Sequence, residues 1–513
     1  MANERATLKK SMSPGAIWAV AVGSIIGWGC FIQGAVWTER AGGPLPLFLG
    51  FIVGGLLMVV IGYSYSYMIA KFPVAGGEFA YAYKGFGRTA AFVCGWMLSL
   101  GYLSIVALNA TALPVLAAYL FPGVFSQGYL WTIAGYDVYF GEVAFSIFFI
   151  VLFGIMNYRG AKAVGNMQLV LVLIMCGAVV LSVAGTFATG SFQAESLQPL
   201  YGAGKSFGSG FISILVLAPF LFVGFDCIPQ AAEEYDFPPN KCKNLIISAL
   251  IVGALLYIAM ALVTDCVLPW QMVLALTDAT GAPIKWHTGA MLELAMGKAG
   301  VAFVAVAVTM GIFTGMNGFF MTSSRLLFGM ARGKMIPTPF GKIHDRFQTP
   351  SNCVIFTTVI CSICPFFGRE VINWVVDMSA VGTAVGYFFT CGGAWVLLKK
   401  YGDSSDENRI RPGMALAGCI ISTVILLLLV IPASPAFMAS QSFVALFAWI
   451  FLGACFYFLS KKHFMNVSKR EMDYLILGNV QVDCGVCKGN MPGEPVQGRV
   501  VIPAQSGPQK EPV

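Results

Sequence analysis

Long apolar runs, in which charged side chains are rare, recur along most of the chain. A helix needs about 20 apolar residues to cross the roughly 30 Å hydrocarbon layer of a membrane, whereas the strands of a membrane barrel alternate over roughly ten residues. Because the runs are too long and too continuous for barrel strands, they predict an all-α integral membrane protein. The twelve predicted spans are residues 14–38, 44–70, 90–120, 141–157, 166–187, 209–230, 244–268, 300–332, 351–368, 371–397, 413–432 and 440–460.

The composition excludes a water-soluble domain and an enzyme is not indicated. Hydrophobic residues make up 58% of the 513 residues and charged residues only 11%, whereas soluble domains are about 25% charged. Residues 1–13 are polar and the first run is long enough to span, so we expect no cleavable signal peptide. Gly204-Lys205-Ser206 resembles the end of a phosphate-binding loop, but Pro199 occupies the position of its first glycine. We therefore expect no catalytic residue and no cofactor.

The basic residues predict the orientation in the membrane. If the N-terminus is cytoplasmic, the outer segments contain only Arg40, Lys205, Lys285, Lys298 and Arg369 of the 31 Lys and Arg residues. The positive-inside rule then places both termini in the cytoplasm. We expect a multi-pass protein of the plasma membrane, whose net charge of +7 reflects topology and contact with lipid rather than nucleic-acid binding.

Most of the 14 cysteines lie inside apolar runs, where cysteine acts as a small hydrophobic residue, and no disulfide framework is predicted. Cys484 and Cys487 form a CxxC pair in the tail, 461–513, which is rich in Pro and Gly near its end. A structural zinc site needs four ligands, and only His463 is nearby. The pair is either a metal or redox site or part of a flexible tail, and we expect the tail to be largely disordered.

Glycines weaken the first span near its middle, where Gly23, Gly27 and Gly29 fall within seven residues. Glycine costs about 1 kcal/mol relative to alanine inside a helix. One interpretation is close helix packing, since Gly23 and Gly27 form a GxxxG pair. The other is a helix broken in mid-membrane, which is tolerated only where the freed backbone lines a cavity or is buried in protein.

The sixth span favours the broken-helix interpretation. Pro219 and Pro229 flank Gly224 and Asp226 in the middle of an apolar stretch, and each interior proline removes a backbone hydrogen bond. Interrupted segments at corresponding positions of two halves are typical of transporters built from inverted repeats, with the binding site between the repeats. Half-helix N-termini would face a carboxylate, and half-helix C-termini would face an ammonium group or a cation.

Four motifs, in order along the chain, resemble those of the amino acid–polyamine–organocation permeases. They are Gly23–Phe31 (GSIIGWGCF), Phe72–Tyr81 running on to Gly95-Trp96, Phe222–Glu234 (FVGFDCIPQAAEE) and Ser324–Pro337. The resemblance implies the leucine-transporter fold, with a first repeat over 14–187, a second inverted repeat over 209–397, and peripheral helices 11 and 12 over 413–460. It also implies secondary transport of a small amino acid by alternating access.

The alternatives within transport are an amine permease, for ethanolamine or a polyamine, and an amino acid exchanger. A channel or a receptor fits less well, because neither needs paired breaks in the first and sixth spans. The sequence departs from the family pattern at Trp28, where many members have a small residue, and at Asp226, where most have Glu. In addition, no Lys or Arg lies between Lys162 and Lys205, where some relatives have a lysine in place of a sodium ion.

The residues near the two breaks are the predicted substrate site, with packing bulk or lipid contact as the alternative role of its aromatic members. Half-helix dipoles predict an ammonium group on sixth-span carbonyls and a carboxylate on first-span amides. Phe222 is a further aromatic residue near the break. The predicted substrate-binding residues are Ile25, Gly27, Trp28, Gly29, Phe220, Val223, Gly224 and Phe225.

Charges inside the spans predict the coupling ion. A carboxylate in hydrocarbon by default marks a transport pathway or a paired group, so Asp226 is either a proton carrier or gate, or a permanently neutral structural acid. Asp377 lies nearer an interface, and Arg325 is expected to anchor the inner face by bonding loop carbonyls. Thr314 and Asn317 are either ligands of a sodium ion or partners in helix-to-helix hydrogen bonds. We expect coupling to protons rather than to sodium.

Overall fold

The computed structural model describes residues 5–202, 204–277, 284, 286–401, 411–432, 434 and 437–478. Lys285 and the CxxC pair Cys484 and Cys487 lie outside these residues. We call the side on which the N-terminal segment lies the inner side and the opposite side the outer side. The predominantly helical fold agrees with the prediction from the apolar runs.

Eight helices cover the first predicted repeat. The first of them begins at a clear signal, because the Ser13 side chain accepts a hydrogen bond from Ala16 N (3.3 Å) and Pro14 occupies the first turn. The helices are α1 Pro14–Ile26, α2 Gly29–Ile32, α3 Gly34–Ala41, α4 Pro44–Lys71, α5 Gly77–Phe86, α6 Arg88–Leu120, α7 Phe140–Arg159 and α8 Ala161–Ala188.

Nine helices cover the second predicted repeat and three more follow it. They are α9 Phe207–Leu215, α10 Ala218–Leu221, α11 Cys227–Gln230, α12 Cys242–Asp265, α13 Trp270–Val273, α14 His287–Met296, α15 Lys298–Arg332, α16 Ser351–Ile363 and α17 Gly368–Tyr401, and then α18 Pro412–Val430, α19 Ser440–Met465 and α20 Lys469–Leu477. Short 3-10 turns lie at Ala194–Leu197, Ala232–Glu234, Pro239–Lys241, Thr338–Gly341 and Cys364–Phe367.

Nine helices in the described part of the chain are long and apolar enough to cross a membrane. Shorter apolar helices cover Pro14–Ile26 and Ser351–Phe367, and the sixth predicted span is divided among α9, α10 and α11. Every predicted apolar run therefore coincides with one or more helices, while the number that crosses the membrane, twelve, stays a prediction.

Burial separates central from peripheral helices. In the most apolar window of α6, 89% of the residues are buried within the protein, whereas the corresponding share is 22% for α18 and 17% for α19. Helix α6 packs against α15 and α17, and α1 packs against α8, α12 and α15. The core therefore lies around α1, α6 and α15, and the apolar side chains of α18 and α19 face outward.

Two features differ from the sequence predictions. A two-stranded antiparallel hairpin, β1 Tyr129–Ile133 and β2 Tyr136–Tyr139, lies between α6 and α7 and is an exception to the all-α prediction. The stretch after residue 460 is ordered through Leu477, since α19 extends to Met465 and α20 follows. Helix α20 begins where Ser468 accepts a hydrogen bond from Glu471 N (3.1 Å), a capping signal that the composition of the tail concealed.

Candidate functional site

The first span breaks at Gly27. Helix α1 ends at Ile26, Gly27 has φ +49° and ψ −141°, and the chain resumes as a helix at Gly29. This backbone conformation lies in the region that only glycine adopts without strain. The hydrogen-bond ladder of the helix therefore stops in the middle of the span, as the glycine-rich sequence suggested.

The sixth span breaks over residues 222–226, between α10 and α11. Gly224 has φ +132°, and a Cβ added there would lie 2.5 Å from Ile25 N and 2.6 Å from Ser24 C. The two broken segments are therefore in direct backbone contact. A side chain at Gly224 would force the first and sixth spans apart, so the missing side chain allows the breaks to meet.

A cavity of about 650 Å³ lies beside the two breaks and extends outward. Its outer part is lined by residues that include Arg40, Asp377, Phe437 and Met438, and Phe437 is 40% exposed. The predicted site residues that line it are Ile25, Gly27, Trp28, Gly29, Phe220 and Val223. The cavity therefore reaches from the broken backbone toward the outer surface.

The remaining predicted site residues lie behind the cavity wall. Gly224 contacts the first span, and Phe225 is fully buried. The Phe225 ring packs between Tyr65 and Tyr387, at centroid distances of 5.1 and 5.4 Å. Phe225 therefore belongs to an aromatic layer beneath the breaks rather than to the cavity surface.

Trp28 forms part of the cavity wall where the first span breaks. It packs with Phe220 and Cys364 against the buried side chain of Leu108. Two large rings, those of Trp28 and Phe220, thus line the cavity at the level of the break. Their size reduces the space left for a molecule bound against the broken backbone.

Asn109 is a cavity residue that the sequence analysis did not single out as a site residue. Asn109 is 2% exposed and its Nδ2 donates to Ile105 O (2.9 Å), while its Oδ1 has no hydrogen-bond partner among the described residues. A Cβ added to Gly27 would lie 3.6 Å from this oxygen. A buried acceptor without a partner is costly, so Asn109 offers a binding group beside the first break. Its position in the middle of an apolar span was the available signal.

Asp226 is fully buried and bonded to neutral groups. Its Oδ1 accepts a hydrogen bond from Gly224 N (2.6 Å) and its Oδ2 accepts one from the Tyr102 hydroxyl (2.9 Å). The same hydroxyl lies 3.2 Å from Glu78 Oε1, and Glu78 is also fully buried. The sequence analysis overlooked Glu78, although an acidic residue directly after Gly76-Gly77 in an otherwise apolar motif was a visible signal.

Thr314 and Asn317 lie together in a fully buried polar cluster between α1, α7, α8 and α15. Asn317 Nδ2 donates to Gln168 Oε1 (2.7 Å) and its Oδ1 accepts from Asn157 Nδ2 (2.9 Å). Thr314 Oγ1 donates to Gly311 O (3.0 Å), with Gly23 O at 3.3 Å. This geometry favours the helix-to-helix hydrogen bonds that were the alternative to a sodium site.

A group of charged residues lies on the inner side, and we call it the inner ion-pair cluster: Arg5, Glu233, Glu234, Arg325 and Arg332. Arg332 Nη1 lies 2.7 Å from Glu233 Oε2, and Arg5 Nη2 lies 3.4 Å from the same oxygen. Glu233 also accepts from Leu8 N (3.1 Å) and Ala75 N (3.0 Å). The N-terminal segment, the 72–76 loop and the end of α15 therefore converge on one carboxylate.

The second pair of the cluster corrects the prediction for Arg325. Its Nη2 lies 3.0 Å from Glu234 Oε1 and its Nη1 donates to Ser324 Oγ (2.9 Å), so its partner is a carboxylate and not loop carbonyls. A fully buried guanidinium needs a negative partner. The acidic pair Glu233-Glu234 was the available signal, because it lies just beyond the end of the sixth predicted span, 209–230.

The pKa values in the cluster follow from these contacts. Burial raises the pKa of Glu233, but the charges of Arg332 and Arg5 outweigh it and hold the pKa below its usual value. Burial lowers the pKa of Arg5 to about 10, assisted by repulsion from Arg332. Glu233 and Arg5 are thus charged at neutral pH, and the cluster is held by ion pairs.

Most of the chain matches one known protein family. The family model described as amino acid permease matches residues 16–456. The chain belongs to the amino acid permease family. This confirms the resemblance to the amino acid–polyamine–organocation permeases that the four sequence motifs indicated.

Several curated proteins are similar to this permease over most of its length. The methylthioribose transporter of Bacillus subtilis is 25% identical over 473 residues, covering 89% of this chain and 95% of the relative. The branched-chain amino acid permease BcaP of the same species is 23% identical over 487 residues, covering 89% and 94%. The aromatic amino acid transport protein AroP of Escherichia coli is 25% identical over 389 residues, covering 73% and 77%. These relatives are transporters and not enzymes.

Proposed function

We propose that this permease is a secondary active transporter that moves a small amino acid across the plasma membrane by alternating access. The observation that supports this most is the asymmetry of the molecule around the two breaks. A cavity extends from the breaks toward the outer side, whereas the inner ion-pair cluster ties the inner side together. This is the arrangement of an outward-facing state, in which a substrate enters from outside and reaches the broken helices.

The broken helices supply the groups that an amino acid requires. The helical turn that resumes at Gly29 leaves N–H groups without partners in the helix, and these suit a carboxylate. Carbonyl groups at the ends of α9 and α10, together with Asn109 Oδ1, suit an ammonium group. Trp28 and Phe220 restrict the side chain, so the proposed substrate is small.

A substrate panel tests this assignment. Proteoliposomes containing the protein would be loaded with amino acids of graded size, and counterflow of each labelled amino acid would be measured. The panel includes branched-chain and aromatic amino acids and methylthioribose, because the relatives are named for these compounds. We expect saturable counterflow of small amino acids. Counterflow of methylthioribose or amines alone would refute an amino acid as the substrate.

We further propose proton symport, with Asp226 as the proton carrier. Asp226 is buried next to the breaks, and its hydrogen-bond partners within the described residues are the neutral Tyr102 hydroxyl and Gly224 N–H. Thr314 and Asn317 are the candidate sodium ligands, and their side chains already form hydrogen bonds with protein groups. Proton binding is therefore the simpler source of coupling.

Uptake into proteoliposomes distinguishes the two ions. We expect accumulation to increase with an inward proton gradient and to be unaffected when choline replaces sodium. Asp226→Asn is expected to lose gradient-driven accumulation and to retain counterflow, because exchange moves no net proton. Strict sodium dependence, with full accumulation by Asp226→Asn, would shift the coupling site to Thr314 and Asn317.

The proposed topology has twelve spans, both termini in the cytoplasm and paired five-helix repeats. Reporter fusions after Leu477 and in the β1–β2 hairpin test it. We expect the first to report the cytoplasm and the second the outside. Reporters on the same side would contradict the proposed orientation.

A further inference from the structure

Three buried side chains connect the sixth break to the inner side of the protein. Glu78 lies in the first turn of α5, Tyr102 lies in α6, and Asp226 directly precedes α11. The Tyr102 hydroxyl is 2.9 Å from Asp226 Oδ2 and 3.2 Å from Glu78 Oε1, and all three side chains have no exposed surface. Two carboxyl groups thus share one hydroxyl in the dry interior.

The geometry constrains how many protons the three side chains hold. A tyrosine hydroxyl has one proton and can donate it to one carboxylate at a time. If both carboxyl groups were ionised, one of them would face only the lone pairs of the Tyr102 oxygen. Both contacts are hydrogen bonds at once only if one carboxyl group is protonated and donates to that oxygen. Both hydrogen bonds to Tyr102 therefore form when Glu78 and Asp226 together hold one proton.

The remaining contacts satisfy either carboxyl group in the ionised form. Glu78 accepts from the Tyr65 hydroxyl at 3.2 Å and from the Gln230 amide, while Asp226 accepts from Gly224 N. Each carboxyl group therefore keeps at least one donor whichever of them holds the proton. The two forms have the same total charge and differ in which carboxyl group holds the proton.

We infer that Glu78, Tyr102 and Asp226 form a proton relay, in which Asp226 takes up the proton at the sixth break and Glu78 receives it for release inward. The Asp226 O–H bond breaks as its proton passes to the Tyr102 oxygen, and the Tyr102 O–H bond breaks as its proton passes to Glu78 Oε1. Asp226 becomes ionised, Glu78 becomes neutral, and Tyr102 ends neutral as it began. This inference rests on the proposed proton symport and adds the residue from which the proton leaves.

The groups around the relay leave the proton free to move. The titratable groups that face it from α4, α5, α6, α11 and α17 are tyrosine hydroxyls and thiols, which are neutral at pH 7: Tyr65, Tyr81, Cys94, Cys227 and Tyr387. Helix α15 contributes Arg325 and Arg332, which pair with Glu234 and Glu233. Both of these arginines are thus already paired, and the salt bridges within the described part of the chain do not include Glu78 or Asp226.

The position of Glu78 couples its release of the proton to opening of the inner side. Ala75, three residues before Glu78, donates its N–H to Glu233 in the inner ion-pair cluster. Gln230, which bonds Glu78, belongs to α11 on the inner side of the sixth break. When the cluster separates and α11 moves, Glu78 loses the amide donor and the cover of the 72–76 loop. Glu78 then meets water, and its proton can leave.

Proton flux into proteoliposomes tests the relay. The probe is an equimolar mixture of alanine, serine, threonine and valine added outside vesicles that contain a pH-sensitive dye. The variants are Glu78→Gln and Tyr102→Phe, with Tyr65→Phe as the matched control. Tyr65→Phe also removes a hydroxyl that donates to Glu78 Oε1, but it leaves the hydrogen bonds of Tyr102 with Glu78 and Asp226 intact. Gel filtration and counterflow of the labelled mixture verify that each variant is folded and binds substrate.

We expect substrate-driven proton flux to fall at least about tenfold in Glu78→Gln and in Tyr102→Phe, since a positioned proton-transfer group contributes a factor of about 10² or more. Counterflow should remain in both variants, and Tyr65→Phe should keep both activities. If one relay variant does not fold, the other carries the test against the same control.

The outcomes separate this inference from the proposed function. Proton flux in the wild type that is lost in Asp226→Asn but retained in Glu78→Gln and Tyr102→Phe would refute the relay and leave proton symport standing. Equal loss of flux in Tyr65→Phe would also refute it, because the effect would then follow from disturbing Glu78 in general. Absence of substrate-driven flux in the wild type would refute proton symport and the relay together.

Discussion

Replacing Glu233 by glutamine should open the inner side of the permease. Glu233 accepts from Arg332 at 2.7 Å, from Arg5 at 3.4 Å and from the N–H groups of Leu8 and Ala75. Breaking a buried ion pair by removing one partner costs about 3–5 kcal/mol. Glutamine keeps one acceptor oxygen, so we take the lower end, about 3 kcal/mol, which corresponds to roughly a 100-fold shift toward the open state.

Alkylation of Cys242 measures this shift. Cys242 is fully buried at the inner end of α12, and peptide-level mass spectrometry reports its labelling separately from that of other cysteines. While the open state is a minor one, the labelling rate follows its population. The rate at Cys242 should therefore increase by about two orders of magnitude in Glu233→Gln.

The matched control is Glu471→Gln. The Lys334–Glu471 pair also lies on the inner side, at 2.8 Å, but its side chains are 28% and 45% exposed. Such exposed pairs contribute about 0–1 kcal/mol, so the rate at Cys242 should change by less than about fivefold. An unchanged rate in Glu233→Gln, or equal increases in the two variants, would refute the assignment of the inner ion-pair cluster as the closure.

Four further predictions follow from the site. Gly224→Ala should lower the free energy of unfolding by about 2–6 kcal/mol, because of backbone strain and a clash with the first span. The control Gly177→Ala, which has open space around it, should leave the melting temperature in detergent unchanged. Equal melting temperatures of the two variants would contradict the contact between the breaks. Trp28→Ser should admit larger amino acids in competition with counterflow, and an unchanged size preference would place the side-chain pocket elsewhere. Asn109→Ala should weaken substrate binding at least about tenfold, the value of one hydrogen bond to a charged group, measured by ligand-induced thermal stabilisation; full stabilisation would exclude Asn109 from the site. The pKa of Glu233 is lowered in the closed state, so its stabilisation of that state is present above the usual carboxylate pKa and is lost only as the pH falls through the lowered pKa. The labelling rate of Cys242, corrected for thiol reactivity, should therefore be constant between about pH 6 and 8. A steep increase of the rate within this range would contradict this expectation.

Sequence patterns located the elements more reliably than they located contacts. The runs around 14–38 and 209–230 were recognised as broken because Gly27, Gly224 and the two prolines disfavour helix locally. Local conformational preference is encoded in neighbouring residues, so it is readable without a structure. The contact of Gly224 with Ser24 and Ile25 joins positions about 200 residues apart along the chain, and no local pattern specifies it.

The interpretation of single polar residues shows the same limit. Asp226 stood out because a charge in a long apolar run is rare. Glu78 is the one charged residue of its motif, 72–81, but it was overlooked because the motif lies between two predicted spans and is flanked by Lys71 and Lys84. Arg325 was assigned the wrong partner because its position near the end of an apolar run says nothing about which loop covers it. Only the packing of the 232–234 turn against α15 brings Glu234 Oε1 within 3.0 Å of Arg325 Nη2.

The sequence by itself determined that the chain is a helical membrane protein, where its long apolar helices lie and where two of the apolar runs break, because hydrophobicity and backbone preference act over a few neighbouring residues. The tertiary structure alone decided which wall of the cavity each residue joins, that Phe225 lies behind it, and that Tyr102 stands between Glu78 and Asp226. These relations depend on how helices distant in the chain pack side by side. A hydrogen bond requires atoms to meet within about 3 Å, and that distance is set by the packing of whole helices rather than by the residues that form the bond.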